Sequence, residues 1–293
     1  MWRNPVGLAA GFDKHIEVLP ALEALGFGSA EVGTITPRPQ LGNPRPRVFR
    51  YPTIRGLVNR YGFNSVGAEQ AARNLKEAYS RYRIRMPVGI SIGKNKETLD
   101  SEAVKDYLEA IGYFLPIMRG ADWLKINISS PNTPSLREIF ARLDEFLAEL
   151  EDGVKGLCRE LNIGVPPLLL KVPPDDLTDK QLADVVAIAK RYGFSGIEAT
   201  NTTTDPNIKA CWGVSEAGGL SGHPLMARST EVLRMMKEPA RACGMDLIGV
   251  GGICESWDAQ EKCIDGGAKA VQIYSGLVLR GPSLIDAILK SWL

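Results

Sequence analysis

Eight short runs of apolar and β-branched residues, at 6–11, 30–35, 88–93, 123–129, 168–172, 196–201, 247–252 and 270–275, recur down the chain. Several are apolar nearly throughout rather than alternating, as expected of parallel strands covered on both faces. Amphipathic stretches at 102–118, 136–161, 178–192 and 256–266 lie between them. Strand followed by helix, eight times over, predicts an α/β fold of the (β/α)8 TIM-barrel type, with residues 1–293 forming one catalytic domain. A doubly wound sheet shares the alternation, but the count of eight and the length of 293 residues favour the barrel. No GxGxxG sequence opens a helix, so a Rossmann nucleotide site has no support.

Composition removes several function classes. Lys+Arg 35 against Asp+Glu 34 leaves a formal net charge of +1, with the basic residues dispersed, so no nucleic acid or polyanionic partner is expected. The five cysteines (Cys158, Cys211, Cys243, Cys254, Cys263) form no CxxC pair, which suits a reducing compartment. His15 and His223 are the only histidines and neither lies near a cysteine pair, so no metal site is expected. No window has the apolar length of a membrane span and no signal peptide opens the chain. Met1-Trp2-Arg3 runs straight into residues that read as core, so a preceding N-terminal piece is expected to be missing.

Barrel enzymes build their sites at the carboxyl ends of the strands. Those ends carry Ala9-Ala10-Gly11 and then Lys14; Thr34; Ser91; Asn127 and Ser130; Lys171; Thr200-Asn201-Thr202; Gly251-Gly252; and Tyr274-Ser275. Amides, hydroxyls and two lysines line this rim, with no histidine, no carboxylate pair and no metal set. Glycosidase chemistry and metal-assisted hydrolysis both lack their residues. An organic cofactor that carries the chemistry, oriented by the protein, fits what remains. The turns after strands 7 and 8, Gly249-Val250-Gly251-Gly252 and Tyr274-Ser275-Gly276, occupy the usual phosphate position of this fold, although tight packing alone also explains a Gly-rich turn. Lys171 ends an apolar strand, where a lysine is costly without a partner; beside a flavin it would stabilise the anionic reduced ring, and otherwise it snorkels from the strand end. Two connections, 36–64 and 202–224, are too long for plain crossovers and read as functional loops.

The densest chemistry lies in Asn127-Ile128-Ser129-Ser130-Pro131-Asn132-Thr133-Pro134, at the exit of the fourth strand. It reads either as an ordinary Asn/Ser/Pro turn or as a held segment presenting amides and a hydroxyl to a polar, uncharged ring. The segment 131–136 is the natural lid over it.

Taken together with Asn4-Pro5-Val6-Gly7-Leu8-Ala9-Ala10-Gly11-Phe12-Asp13-Lys14, Asn59-Arg60-Tyr61-Gly62-Phe63-Asn64, Gly93-Lys94-Asn95-Lys96, Thr200-Asn201-Thr202-Thr203, Gly218-Gly219-Leu220-Ser221-Gly222 and Val271-Gln272-Ile273-Tyr274-Ser275, this segment resembles the quinone-dependent, membrane-associated class of dihydroorotate dehydrogenases. The motifs occur in order across essentially the whole chain. The resemblance implies an FMN-binding barrel that oxidises (S)-dihydroorotate to orotate in pyrimidine (UMP) biosynthesis, with hydride passing to FMN and electrons to ubiquinone. It implies Ser130 as the catalytic base, where the sister class carries Cys. It implies a substrate pocket of Lys14, Asn59, Arg60, Tyr61, Gly62, Phe63, Asn127, Asn132, Asn201 and Thr202. The implied FMN site is Ala9, Ala10, Gly11, Thr34, Ser91, Asn127, Lys171, Thr200, Gly222, Gly251, Gly252, Tyr274 and Ser275.

Two departures accompany the resemblance. Ser91 stands where the family more often has Asn, which shortens its reach to a flavin. The helix pair that precedes the barrel in this class, lying on the membrane and walling the quinone tunnel, is absent from this sequence. Peripheral contact with an inner membrane, mitochondrial in a eukaryote and bacterial otherwise, is therefore expected of the missing segment, and this chain alone is expected to be soluble and monomeric. Two other readings remain: a related FMN barrel acting on another pyrimidine or linked to fumarate, and a non-catalytic barrel that senses a phosphorylated metabolite.

Overall fold

The computed structural model describes residues 2–130 and 136–292. In chain order its strands are β1 (Val6–Leu8), β2 (Ser29–Ile35), β3 (Val48–Tyr51), β4 (Gly56–Asn59), β5 (Val88–Ile92), β6 (Trp123–Asn127), β7 (Leu168–Val172), β8 (Gly196–Ala199), β9 (Gly219–Gly222), β10 (Asp246–Val250) and β11 (Ala270–Ile273). Eight of them close into a barrel in the order β1-β11-β10-β8-β7-β6-β5-β2, and the pairings around it are parallel. These are the eight runs expected from the sequence. The strands stop up to three residues short of several runs, leaving Ala9-Ala10-Gly11, Ile128-Ser129 and Thr200-Asn201 as the turns of the rim.

The outward faces of the strands and the inward faces of the helices make one continuous apolar core. The helix Ala68–Arg81 shows why: Ala68, Ala71, Ala72, Leu75 and Ala78 recur at helical spacing and are buried. The helix Asp179–Arg191 starts at Thr178, whose hydroxyl accepts from Gln181 N while Gln181 Oε1 accepts from Thr178 N, a reciprocal cap that satisfies two backbone donors. The expected helix 136–161 is two helices, Leu136–Ala141 and Leu143–Glu160.

The long connections are a second sheet. β3 and β4 form an antiparallel hairpin, and β9 from the other connection pairs antiparallel with β4, Gly56 opposite Gly222 and Asn59 opposite Gly219. This sheet contributes Leu57, Asn59, Ser221 and Gly222 to the same cavity as the barrel rim, so it forms one wall of the site.

Candidate active site

The exits of β2, β5, β6 and β8 are tied together by polar side chains. Tyr107, buried against Phe146 with ring centroids 5.4 Å apart, donates its hydroxyl to Asn127 O at 2.9 Å and so fixes the end of β6. Asn127 Nδ2 donates to Thr34 Oγ1 at 2.8 Å, and Thr34 Oγ1 meets Ser91 Oγ at 2.8 Å. On its other side Asn127 Oδ1 accepts from Ser129 Oγ at 3.3 Å and Asn201 Nδ2 at 3.4 Å, and Asn201 also donates to Ser129 Oγ at 3.1 Å. Asn201 Oδ1 in turn accepts from Thr202 N at 2.8 Å. Four strand ends thus share one polar network, and Ser130, buried, follows it at the cavity wall.

The cavity encloses about 1030 Å³ of empty space, the part open to solvent included. Ala9, Ala10, Gly11, Lys14, Thr34, Asn59, Tyr61, Gly62, Phe63, Asn127 and Ser130 line it from the first half of the chain. Lys171, Thr200, Asn201, Thr202, Gly222, Gly251, Gly252, Tyr274 and Ser275 line it from the second. Nearly the whole expected set therefore converges. Two members do not line the cavity. Ser91 sits behind Thr34 and reaches the site only through that hydroxyl contact. Arg60 turns away, its guanidinium pairing with Glu216 and lying 4.4 Å over the Phe49 ring. Asn132 and all of the expected lid 131–136 but Leu136, which opens the helix Leu136–Ala141, lie outside the described residues.

At one end of the cavity the backbone makes a glycine-walled cradle. Gly222 (φ 83°) and Gly252 (φ 88°) both adopt the left-handed region, and a Cβ on either would strike backbone, Arg55 O at 2.2 Å and Met226 Cα at 2.3 Å. Ser221 Oγ and Ser275 Oγ, 2.9 Å apart, line the cavity beside it. Such a close backbone approach with hydroxyls at hand suits a phosphate group. At the other end Lys14 lies 5.4 Å over the Tyr61 ring, and Tyr61 OH meets Tyr274 OH at 2.9 Å. Burial, with Arg47 and Lys125 nearby, brings the Lys14 ammonium down to about 7.

The floor holds what sequence reasoning missed. Lys125 and Gln272 also line the cavity, and beneath them lie Glu31 and Glu198, all four fully or almost fully buried. The expected absence of a carboxylate pair holds only for the rim. Glu198 accepts from Lys171, which answers the question of that lysine's partner, and Lys125 pairs with both Glu31 and Glu198. The signal was available, since a charge in the middle of an apolar strand demands the same partner search that Lys171 prompted.

The parallel barrel and the converging polar rim define the class of (β/α)8-barrel enzymes that build their site at the carboxyl ends of the strands. The family model described as dihydroorotate dehydrogenase matches residues 1–292. Among relatives, the Thermus thermophilus protein named dihydroorotate dehydrogenase (quinone) is 47% identical over 282 residues, 95% of this chain and 76% of its own length. The Stenotrophomonas maltophilia protein of the same name is 43% identical over 291 residues, 98% of this chain and 80% of its own. Among solved structures, the dihydroorotate dehydrogenase of Eimeria tenella in complex with ferulenol superposes with a TM-score of 0.87 at 35% identity, covering 100% of this chain and 81% of that one. The chain belongs to the dihydroorotate dehydrogenase family.

Proposed function

We propose that the protein oxidises dihydroorotate to orotate using bound FMN, with a quinone as the final acceptor. The observation that carries this reading is the meeting, in one cavity, of the Asn127–Ser129–Asn201 amide network and Ser130 with Lys171 and the glycine cradle at Gly222 and Gly252. The cradle fits the cofactor's phosphate, since Gly222 and Gly252 border the same cavity as the hydroxyl-bearing Ser221 and Ser275. Bound there, FMN would supply the hydride acceptor.

The chain's own residues do the rest. Dihydroorotate is a cyclic ureide with a carboxylate, whose alternating N–H and C=O groups need partners that both donate and accept, as Asn59, Asn127 and Asn201 do. Lys14 receives the carboxylate in its cationic form. Phe63, buried, offers an apolar wall. Ser130 removes the proton at C5, which requires a water or relay to accept it and a site closed to bulk solvent. The two relatives' names support a quinone acceptor, which we take to be ubiquinone, and their bacterial sources favour a bacterial inner membrane over a mitochondrial one as the proposed location. Peripheral membrane contact through an N-terminal segment, and a monomeric state, belong to the same proposal; among the described residues no helix is long and apolar enough to cross a membrane.

Anaerobic addition of dihydroorotate to the purified protein tests the reading. The flavin absorbance should bleach and orotate should appear in equal amount; a protein that takes up no FMN, or whose flavin stays oxidised, overturns it.

A further inference from the structure

Small parallel barrels are filled by layers of four side chains from alternate strands, usually bulky and apolar. Here the layer from β2, β6, β8 and β11 is Glu31, Lys125, Glu198 and Gln272. Its members are 0%, 0%, 0% and 1% exposed, so water does not solvate it. They bond around the ring instead. Gln272 Nε2 donates to Glu31 Oε2 at 3.1 Å, Glu31 pairs with Lys125, and Lys125 Nζ lies 3.3 Å from Glu198 Oε2. From the neighbouring strand β7, Lys171 stands in register with Glu198 and gives that carboxylate its second ammonium. Lys171 lines the cavity, as Lys125 and Gln272 do, so the layer and its neighbour meet the site at all three residues.

Buried charges of this kind are weak stabilisers, because desolvation consumes most of the attraction. Packing therefore does not account for them, whereas their position does. The charged and titratable groups facing Lys171 are Glu198, Lys125 and Glu31 within the ring, with Lys14 across the cavity. Among the described residues Glu198 is the carboxylate that pairs directly with Lys171, and Lys125 pairs with both carboxylates. Resting on the FMN reading above, we propose that Glu198 is a positioning residue that keeps Lys171 cationic and directed into the cavity floor, with Lys125 keeping Glu198 ionised, so that this buried layer sets the charge presented to the flavin ring. The individual groups lean the same way. Burial would raise the Glu198 carboxyl, yet Lys125 and Lys171 bring it down to about 2. Burial lowers Lys171 and Lys125 pushes it further in that direction, against the pull of Glu198. Burial and the Glu198 charge raise Glu31 to about 7, so near neutral pH it can hold a proton and leave the floor with one excess positive charge.

The test compares holoenzymes of wild type, Glu198→Gln, Glu198→Asp and the double variant Lys125→Met/Glu198→Gln. Two quantities are read: the rate of FMN loss between about pH 6.5 and pH 9, and the midpoint potential of the bound flavin. In Glu198→Gln, Lys171 loses its direct ion-pair partner while Lys125 still repels it, so it holds its proton less tightly. FMN loss should then accelerate about tenfold or more across that range, and the potential should fall below wild type, while wild type itself changes little. Glu198→Asp, which keeps the charge, should track wild type. Lys125→Met/Glu198→Gln, which removes the repelling ammonium as well, should recover most of the flat profile; a merely structural Glu198 predicts no such rescue. Should Glu198→Gln not fold, the contrast between wild type and the double variant decides, since removing both charges is commonly tolerated and a double variant with steep pH dependence contradicts the rescue. A folded Glu198→Gln with the wild-type pH profile and potential overturns the proposal alone. A wild-type protein that takes up no FMN overturns the cofactor reading, and this one with it.

Discussion

Lys262 Nζ donates to Ser229 Oγ at 2.7 Å, and that hydroxyl lies within donating distance of Leu225 O at 2.9 Å and Gly251 O at 3.0 Å, so a buried ammonium stands behind the glycine turn of the cradle. Lys262 lies in the helix Ser256–Ile264 and Ser229 in the helix Met226–Cys243; Thr230 Oγ1 completes the lysine's polar contacts at 3.2 Å. Burial outweighs the pull of Glu261 and Asp258 and brings Lys262 down to about 7. Its unfolded value is near 10.4, so between about pH 7 and pH 10.4 the unfolded chain binds the extra proton and stability rises with pH. Below about pH 7 the cost of the buried charge is present in full. Lys262→Met should therefore be more stable than wild type at pH 6 by about 1–3 kcal/mol, after allowing about 1 kcal/mol for each lost hydrogen bond. The gain should shrink toward pH 10. Denaturant unfolding across that range checks it, and a variant that is less stable at every pH would show the lysine to be a net stabiliser.

The Lys14 ammonium titrates at about 7 in the ligand-free protein, because burial and the Arg47 and Lys125 charges all disfavour its proton. A carboxylate ligand restores that proton. Orotate affinity should thus be nearly constant below about pH 7 and fall above it, by up to about tenfold per pH unit, until the raised value in the complex is reached. Lys14→Met should bind orotate weakly with no such dependence. Calorimetric titration at several pH values decides the matter; a slope that persists in Lys14→Met would place the titrating group elsewhere.

The barrel was legible because its strands are apolar on both faces and recur with helices between them. The three-stranded sheet was not: β3 alternates exposed and half-buried, and β4 and β9 are four-residue strands rich in glycine and polar residues, so neither periodicity nor length distinguishes them from loop. The rim residues were readable from strand exits alone. Glu31, Lys125 and Glu198 lie in mid-strand, and pairing between distant strands appears only once the barrel closes. Arg60 shows the opposite limit, since its place in a motif said nothing of the turn its side chain makes toward Glu216.

Two glycines separate strain from collision. A Cβ added at Gly26 (φ 92°) would meet nothing within 4 Å, whereas one added at Gly252 (φ 88°) would lie 2.3 Å from Met226 Cα. Gly26→Ala should cost only the left-handed conformation, about 1–2 kcal/mol, and keep FMN. Gly252→Ala must also shift the start of the helix Met226–Cys243, so it should lose FMN on gel filtration as well as stability. Equal FMN retention in the two variants would remove the cradle from the cofactor site.

Ser130 carries the most exacting expectation. It follows β6 at a point fixed by the Tyr107–Asn127 hydrogen bond and borders the cavity beside the Asn127–Asn201 network. The bonds among Asn127, Ser129 and Asn201 do not require the Ser130 hydroxyl, so they should survive Ser130→Ala. FMN content and orotate affinity should stay near wild type, while flavin reduction by dihydroorotate slows by about 10²–10⁴, the usual cost of removing a general base. Ser130→Cys should retain part of the rate, since a thiol ionises more readily than a hydroxyl near neutral pH. Stopped-flow measurement of flavin bleaching isolates this step from quinone turnover. If Ser130→Ala bleaches at the wild-type rate, Ser130 is not the base and the segment serves only to shape the pocket; if orotate affinity collapses with the rate, the hydroxyl acts in binding rather than in proton removal.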